Sequence, residues 1–483
     1  MFEEYCWTQG KIEKSADSIK RIFFYRICGT GMGAAATLLK QKGYDVEGAD
    51  VNFYPPMSDY LEQSEIKVQK LSDVTDEYLK EFDIVVVGNV VAGKSEDGDR
   101  IKNMQVPYCS FPAILGALVL KDYHVVGVAG THGKTTTTYF LTQLFEALGE
   151  EPGYFIGGIM EGRPPARLGK SKYFFIESDE YDCGFFEKFS KFHLYKINSL
   201  ILTSLEFDHA DIYNDVEEIK DEFRKLLPTL NEIMIGNVDY PHSLDLIREK
   251  IVDRIKALIP YGQASHNGPQ IIEASEKGTK FFVRYGQNED LYETNLIGRH
   301  NIANISAAVI FALTQGYSKS EVKACLSNIV HVKRRQELRG NYNGMPIIDD
   351  FAHHPTAIQL TLEGIEQQYP DKKIIVLYEP NSATARSNIF LQDYLHAFRK
   401  VARFAVTKIN RPTSAKNNKT LSLEELNEGL IDKGVDTIIV KSLDEVQTFI
   451  ETLDHEDSIL LVMSNGTCLG LWQSDFIKNL EKA

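Results

Sequence analysis

Six cysteines in 483 residues, at Cys6, Cys28, Cys109, Cys183, Cys325 and Cys468, form no C-x-x-C pair and no metal-ligand spacing. Their scatter argues for reduced thiols in a cytoplasmic protein rather than a cross-linked secreted one. No stretch reaches the roughly 18 apolar residues a membrane helix needs. The opening Met-Phe-Glu-Glu lacks the basic region and apolar run of a secretory signal. Basic side chains are also in deficit, 53 Lys and Arg against 68 Asp and Glu, for a formal charge of −15. That argues against nucleic-acid and membrane-surface partners, while leaving room for a local basic pocket that holds phosphate. Internal repeats and low-complexity tracts are absent. What remains is an ordinary globular composition, 43% hydrophobic and 25% charged, in a chain long enough for two to four domains.

The most informative stretch runs from Val125 to Thr137. An apolar strand enters a glycine-bearing turn, Gly130-Thr131-His132-Gly133-Lys134-Thr135-Thr136, and a helical pattern follows with Phe140, Leu141, Leu144, Phe145 and Leu148 on one side. Glycines let backbone N–H groups face phosphate oxygens, and the helix adds its positive end. Lys134 is then placed for the β- and γ-phosphates of ATP, and the Thr135 hydroxyl for Mg²⁺. The strict G-x-x-x-x-G-K-T form requires glycine at 128, where this chain has Val128.

Upstream, a strand over 22–27 leads to Gly29-Thr30-Gly31-Met32-Gly33, an Ala/Leu-rich helix and a second strand over 46–49 that delivers Asp50. This βαβ opening suits a diphosphate at the glycines with Asp50 at a ribose hydroxyl, although the spacing departs from G-x-G-x-x-G and a simple tight turn stays open. Strands are also expected over 84–87 and 106–110, with a helix over 113–118. In the middle of the chain, strands over 173–176 and 200–205 end in Glu177-Ser178-Asp179-Glu180-Tyr181-Asp182 and Glu206-Phe207-Asp208-His209. Such carboxylates supply the hard oxygen ligands of a magnesium-phosphate site, or else are solvated turns. Asn301 and Asn304, three apart at the start of an Ala/Ile-rich helix, suit a helix cap by spacing alone, and an adenine edge by chemistry. From about 330, strands over 346–348, 374–377, 404–407, 437–440 and 458–463 alternate with helices over 423–430 and 443–453. That pattern describes a further doubly wound α/β unit.

In this order the motifs resemble the Mur ligase family of ATP-dependent, amide-forming enzymes. The resemblance rests on Gly127 to Thr136, Glu177-Ser-Asp-Glu180, Asp208-His209, His300-Asn301-Ile-Ala-Asn304, Arg334-Arg335 and Asp349-Asp350-Phe-Ala-His353-His354-Pro355-Thr356. Tyr54 to Ser58, Glu379-Pro380, Met463 to Gly466 and the run from Glu177 to Phe192 are similar to the peptide-adding, recycling branch.

The resemblance implies an α/β protein of three domains: a Rossmann-like UDP-sugar domain (1–120), a central P-loop ATP domain with a parallel sheet (121–330) and a Rossmann-like domain for amino acid or peptide (331–483). It implies ATP and Mg²⁺, with UDP-N-acetylmuramate and the peptide L-alanyl-γ-D-glutamyl-meso-diaminopimelate joined through an acyl phosphate. Lys134, Glu177 and His209 take catalytic roles, the last two with Thr135 at the metal. Gly130 to Thr136, Asn301, Asn304, Arg335 and Asp350 hold ATP. Gly29, Thr30, Gly31, Met32, Gly33, Asp50, His353 and Arg386 face the other substrates. Asn381 stands where the recycling branch has arginine, so either Arg386 substitutes or peptide preference differs. A monomer or weak homo-oligomer is expected. The alternatives are an L-alanine-adding ligase and a non-catalytic P-loop binding protein.

Overall fold

The computed structural model describes residues 2–53, 55, 57–157, 162–249, 254–286, 288–415 and 418–481. Tyr54 and Pro56, within one of the stretches singled out above, lie outside the described residues. The chain divides into two compact units: residues 1–205, 220–267 and 307–322 form the first, and residues 206–219, 268–306 and 323–483 the second.

Besides a small antiparallel hairpin, Asp182–Gly184 with Glu187–Ser190, the first unit holds two large, mainly parallel sheets. One has five strands in the order Lys67–Lys70, Asp45–Asp50, Arg21–Tyr25, Ile84–Val87, Tyr108–Ser110. Its central strands are apolar and nearly fully buried, as expected when both faces of a parallel sheet are covered. Phe23, Tyr25, Leu79, Phe82 and Val85 belong to one cluster on this sheet. The helix Thr30–Gln41 follows the first strand and buries Met32 to Leu39.

The other sheet has seven strands in the order Ala257–Tyr261, Ile233–Asn237, Ser199–Leu202, His124–Ala129, Tyr173–Glu177, Gly153–Phe155, Ala166–Arg167, of which only the last is antiparallel to its neighbour. His124–Ala129 sits in the interior of this order, with later strands on both sides, and open α/β sheets bind ligands at the carboxyl end of such a switch point. The helix Lys134–Ala147 leaves that strand and is anchored by Phe145, whose ring lies 5.0 Å from those of both Tyr173 and Phe175, and 5.6 Å from Phe311. A helix held this firmly presents its first turn as a fixed platform.

The second unit contains an antiparallel three-stranded sheet, Gln270–Ser275, Gly278–Tyr285, Asn288–Thr294, which the sequence analysis did not anticipate. It also contains a six-stranded sheet in the order Glu337–Tyr342, Met345–Asp350, Ser458–Ser464, Lys373–Glu379, Arg403–Thr407, Asp436–Val440. The five strands expected after residue 330 are all present. Apolar clusters cover both faces, one including Val376, Tyr378, Phe398 and Leu461, the other Leu377, Ala405, Leu460 and Val462. Among the described residues no helix is long and apolar enough to cross a membrane.

Candidate active site

At the carboxyl end of His124–Ala129 the chain turns sharply. Gly130 has φ 129° and Gly133, the residue preceding the helix, has φ 83°, both in the region that favours glycine. The shape is fixed by the end of the neighbouring strand. Thr203 Oγ1 donates to the carbonyl of Ala129 at 3.1 Å and also to that of His132, while Ser204 Oγ accepts the His132 N–H at 2.7 Å. The strand expected over 200–205 ends at Leu202, and beyond it Thr203 and Ser204 bond the loop after Ala129 through both side chain and backbone, the Thr203 N–H donating to the Ala129 carbonyl at 2.9 Å and the Ser204 carbonyl accepting the Thr131 N–H at 3.3 Å.

Lys134 opens the helix and folds back, its Nζ donating to the Gly130 carbonyl at 2.7 Å and lying 3.6 Å from both Asp179 and Glu180. Thr135 Oγ1 donates to Glu177 Oε1 at 2.7 Å, and the Gly157 N–H donates to the other Glu177 oxygen at 2.8 Å. Val128 pairs with Glu177 across the sheet, which sets this carboxylate level with the loop. Burial, together with the neighbouring Asp179, pushes the Glu177 carboxyl above its usual range, against the pull of Lys134. The structure therefore brings together Lys134 and Thr135 from one helix start and Glu177, Asp179 and Glu180 from one strand end.

A second feature of the same unit is a cavity of about 220 Å³ at the carboxyl end of the five-stranded sheet. Gly29 to Met32 line it, with Asp50 and Arg26. Asp50 is occupied: its two oxygens accept the N–H groups of Cys28 at 2.8 Å and Val51 at 2.7 Å, and Arg26 Nε lies 3.6 Å away. It brackets the loop as well as lining the cavity. The three glycines also differ. A Cβ on Gly29 would meet nothing within 4 Å, one on Gly31 would lie 3.3 Å from the Phe111 ring, and one on Gly33 would strike Met57 Sδ at 2.1 Å. Gly33 thus serves close packing of the helix rather than open access.

In the second unit, Asn301 and Asn304 fall inside the helix Arg299–Thr314 rather than at its cap. Gly298, with φ 87°, precedes the helix and its carbonyl accepts the Asn301 N–H at 3.0 Å, so glycine starts the helix. Asn301 Nδ2 donates to the Ile297 carbonyl at 2.8 Å. Asp350 accepts the N–H groups of Gln336 and Ala352 at 2.8 and 2.7 Å and is pushed up by burial against the pull of Arg335. Both paired arginines lie over the Phe351 ring, Arg334 at 5.5 Å and Arg335 at 5.0 Å, and Arg334 also reaches the carbonyls of Ser464 and Gly466 at 2.6 and 3.1 Å.

His353 receives hydrogen bonds on its carbonyl from the hydroxyls of Tyr378 and Tyr394, at 3.1 and 2.9 Å, which pin its backbone. His209 has φ 54°, and its N–H donates to Asp208 Oδ1 at 2.7 Å. Although burial raises Asp208, the neighbouring His209, His354 and His353 and the Thr384 hydroxyl hold its carboxyl far below the usual range. Arg386 is 4% exposed and donates to the Asn381 carbonyl, and its Nε has no hydrogen-bond partner among the described residues. Burial and the nearby Arg411 push this guanidinium below its ordinary value, against the pull of Asp211.

Family models match three consecutive segments: Mur ligase family, catalytic domain, over residues 21–123; Mur ligase middle domain over 128–312; and Mur ligase, glutamate ligase domain, over 334–466. A UDP-N-acetylmuramate–L-alanyl-γ-D-glutamyl-meso-2,6-diaminoheptandioate ligase of Escherichia coli is 35% identical over 77% of this chain and 81% of its own. The chain belongs to the Mur ligase family. The Haemophilus influenzae ligase of the same name is 33% identical over 94% of this chain and 98% of its own. The crystal structure of a murein peptide ligase from Psychrobacter arcticus superposes with a TM-score of 0.69 at 28% identity, covering 94% and 97% of the two chains.

Sequence reasoning missed several residues that shape this Mur ligase. Thr203 and Ser204 were hidden inside an apolar strand pattern, and the only signal was two hydroxyls after Leu202 at a strand end. Phe111 lines the cavity from outside its glycine loop with no motif to mark it, and Lys191 lines it too, from within the run Glu177 to Phe192, where it had been given no role.

His300 of this Mur ligase is pushed down to about 3, by burial first and then by His331, Arg335 and Arg299. An unfolded histidine protonates near 6.5, so as pH falls below that value the unfolded chain takes up a proton that the folded one refuses. Folding stability then drops by at most about 1.4 kcal/mol per pH unit. Asp349, raised to about 6 by burial against the pull of Arg334 and Arg339, acts in the opposite sense over part of the same window. The comparison with a variant isolates the histidine. His300→Gln is expected to gain stability relative to the parent on going from pH 7 to pH 4.5, read from urea midpoints; a constant difference would contradict it.

Proposed function

We propose that this Mur ligase uses ATP to join the carboxylate of UDP-N-acetylmuramate to the amine of L-alanyl-γ-D-glutamyl-meso-diaminopimelate through an acyl phosphate, in the recycling of peptidoglycan. The observation that carries the reading is the cluster of Lys134, Thr135 and Glu177 at the head of the loop after Ala129. The choice of amine substrate draws on the two relatives named for that reaction.

A triphosphate suits the loop because Gly130 lets the chain turn tightly against Ser204, whose carbonyl oxygen a Cβ would meet at 2.5 Å, and a glycine turn of this kind lets backbone N–H groups face phosphate oxygens. Lys134 supplies the cation. Thr135 Oγ1 and the Glu177 carboxylate are hard oxygen donors, the chemistry magnesium prefers, so these two residues would hold the metal, which neutralises phosphate charge when bound. Lys134 now leans on two carboxylates, and a phosphate chain competes with them for its charge. The rest of the reaction asks for positioning and exclusion of water.

Motif order supports Asn301, Asn304, Arg335 and Asp350 as adenosine and phosphate contacts, His209 as an organiser of the metal's water shell, and His353 near the amine substrate. The buried guanidinium of Arg386 supports a peptide carboxylate as its partner, which would fill the role of the arginine absent at Asn381. Functional boundaries near 120 and 330 accord with the three matched segments.

The test is phosphate release from ATP with UDP-N-acetylmuramate and either the tripeptide or L-alanine. Release is expected only with the tripeptide. Stimulation by L-alanine alone would replace the reading with the L-alanine-adding reaction, and no release with either amine would favour a binding protein.

A further inference from the structure

Among the described residues, Lys191 is the one cationic side chain that the seven-stranded part of the first unit contributes to the cavity of the five-stranded sheet. It follows directly on the hairpin Asp182–Gly184 and Glu187–Ser190, which leaves the strand bearing Glu177. Its Nζ lies 5.5 Å from the ring of Phe111 and 5.5 Å from that of Tyr181, so two aromatic faces hold the ammonium group at the cavity. Among the described residues no carboxylate lies within 4 Å of it, in contrast to Arg26 across the cavity, which is paired with Asp50. The hairpin itself is tied down: Ser110 donates to the buried Glu187, and the Tyr108 ring lies 5.1 Å from Phe186. A fixed arm therefore brings an uncompensated positive charge to a cavity that also receives Gly29 to Met32 at the start of a helix.

We infer that Lys191 is a binding residue for the diphosphate of the uridine nucleotide, contributed by the ATP-binding part of the unit to the sugar-nucleotide cavity. The inference rests on the reading that this cavity takes UDP-N-acetylmuramate. A diphosphate carries negative charge that the loop's own groups leave unmatched, because the local arginine is already committed to Asp50. The aromatic cage restrains the lysine stem and so lowers the entropy lost on engaging phosphate. Because the charge comes from the segment after Glu177, the cavity selects nucleotides that carry phosphate over the bare nucleoside.

The experiment measures dissociation constants by calorimetry for UDP-N-acetylmuramate and for ADP, with the parent, Lys191→Met and Lys191→Arg. Met retains the apolar stem over both rings and removes only the charge. Lys191→Met is expected to bind UDP-N-acetylmuramate at least tenfold more weakly, with a reduced dependence on salt and unchanged ADP affinity, and Lys191→Arg to recover most of the loss. The inference fails if Lys191→Met binds UDP-N-acetylmuramate within twofold of the parent, or if it loses ADP affinity in parallel, which would mark the side chain as structural. Absence of UDP-N-acetylmuramate binding by the parent would instead overturn the underlying reading of the cavity.

Discussion

Lys134→Ala is expected to lower phosphate release by about 10³-fold, the upper range for loss of one preorganised electrostatic donor, while the fold persists. The side chain lies 3.6 Å from Asp179 and from Glu180, the latter 2% exposed. Without the ammonium group, a triphosphate would approach two carboxylates and Glu177 with no cation from the loop to offset them. Repulsion therefore acts on binding and on the transition state together, and both KM for ATP and kcat should suffer. Stability should change little, because the helix is anchored further along by Phe145. Far-UV circular dichroism matching the parent alongside lost turnover is the expected pair of results; turnover within tenfold of the parent would remove Lys134 from the chemistry.

Gly130→Ala attacks the same loop by a different route. At φ 129° an alanine is strained, and its Cβ would lie 2.5 Å from the Ser204 carbonyl oxygen and 2.6 Å from Thr203 Oγ1. Neither neighbour is free to retreat, since Thr203 and Ser204 are bonded to Ala129 and His132. Backbone strain and forced repacking each cost roughly 1–3 kcal/mol, so a loss of about 2–5 kcal/mol in stability is expected. ADP affinity should fall at least tenfold as the loop opens. Urea unfolding and calorimetry read the two effects. A variant with parental stability and affinity would show that the loop does not need the conformation described. The two substitutions thus separate charge from shape: one spares the fold and stops turnover, the other damages both.

The parts legible in the sequence were those where several local signals agree. An apolar run, a glycine turn, Lys-Thr and an amphipathic pattern coincide at 125–148, and the strand, loop and helix lie there. The five strands after residue 330 were readable as short apolar runs between helices, most of them buried, although the edge strand Asp436–Val440 is largely exposed or half-buried. The antiparallel sheet over 270–294 was not. Its first strand, Gln270–Ser275, is largely exposed, and Ile272 is 52% exposed, so neither alternation nor a buried run marks it. Residue type also failed to reveal occupancy. Asp50 was picked for a ribose hydroxyl and Asp350 for ATP, and both are found accepting two backbone N–H groups. A sequence shows that an acceptor exists, whereas only tertiary structure shows which donor reaches it first. Asn301 illustrates the same limit, because the glycine before it had already claimed the cap.

The segment from Glu177 to Lys191 touches both the loop after Ala129 and the cavity of the five-stranded sheet within one short, hydrogen-bonded stretch. Glu177 and Asp179 sit by the Thr135 hydroxyl and the Lys134 ammonium, and the far end carries the lysine between Phe111 and Tyr181. Such a strut has little slack, so if the loop and the cavity take the two nucleotides proposed for them, filling one would bias the other and the ligands would load in a preferred sequence rather than at random.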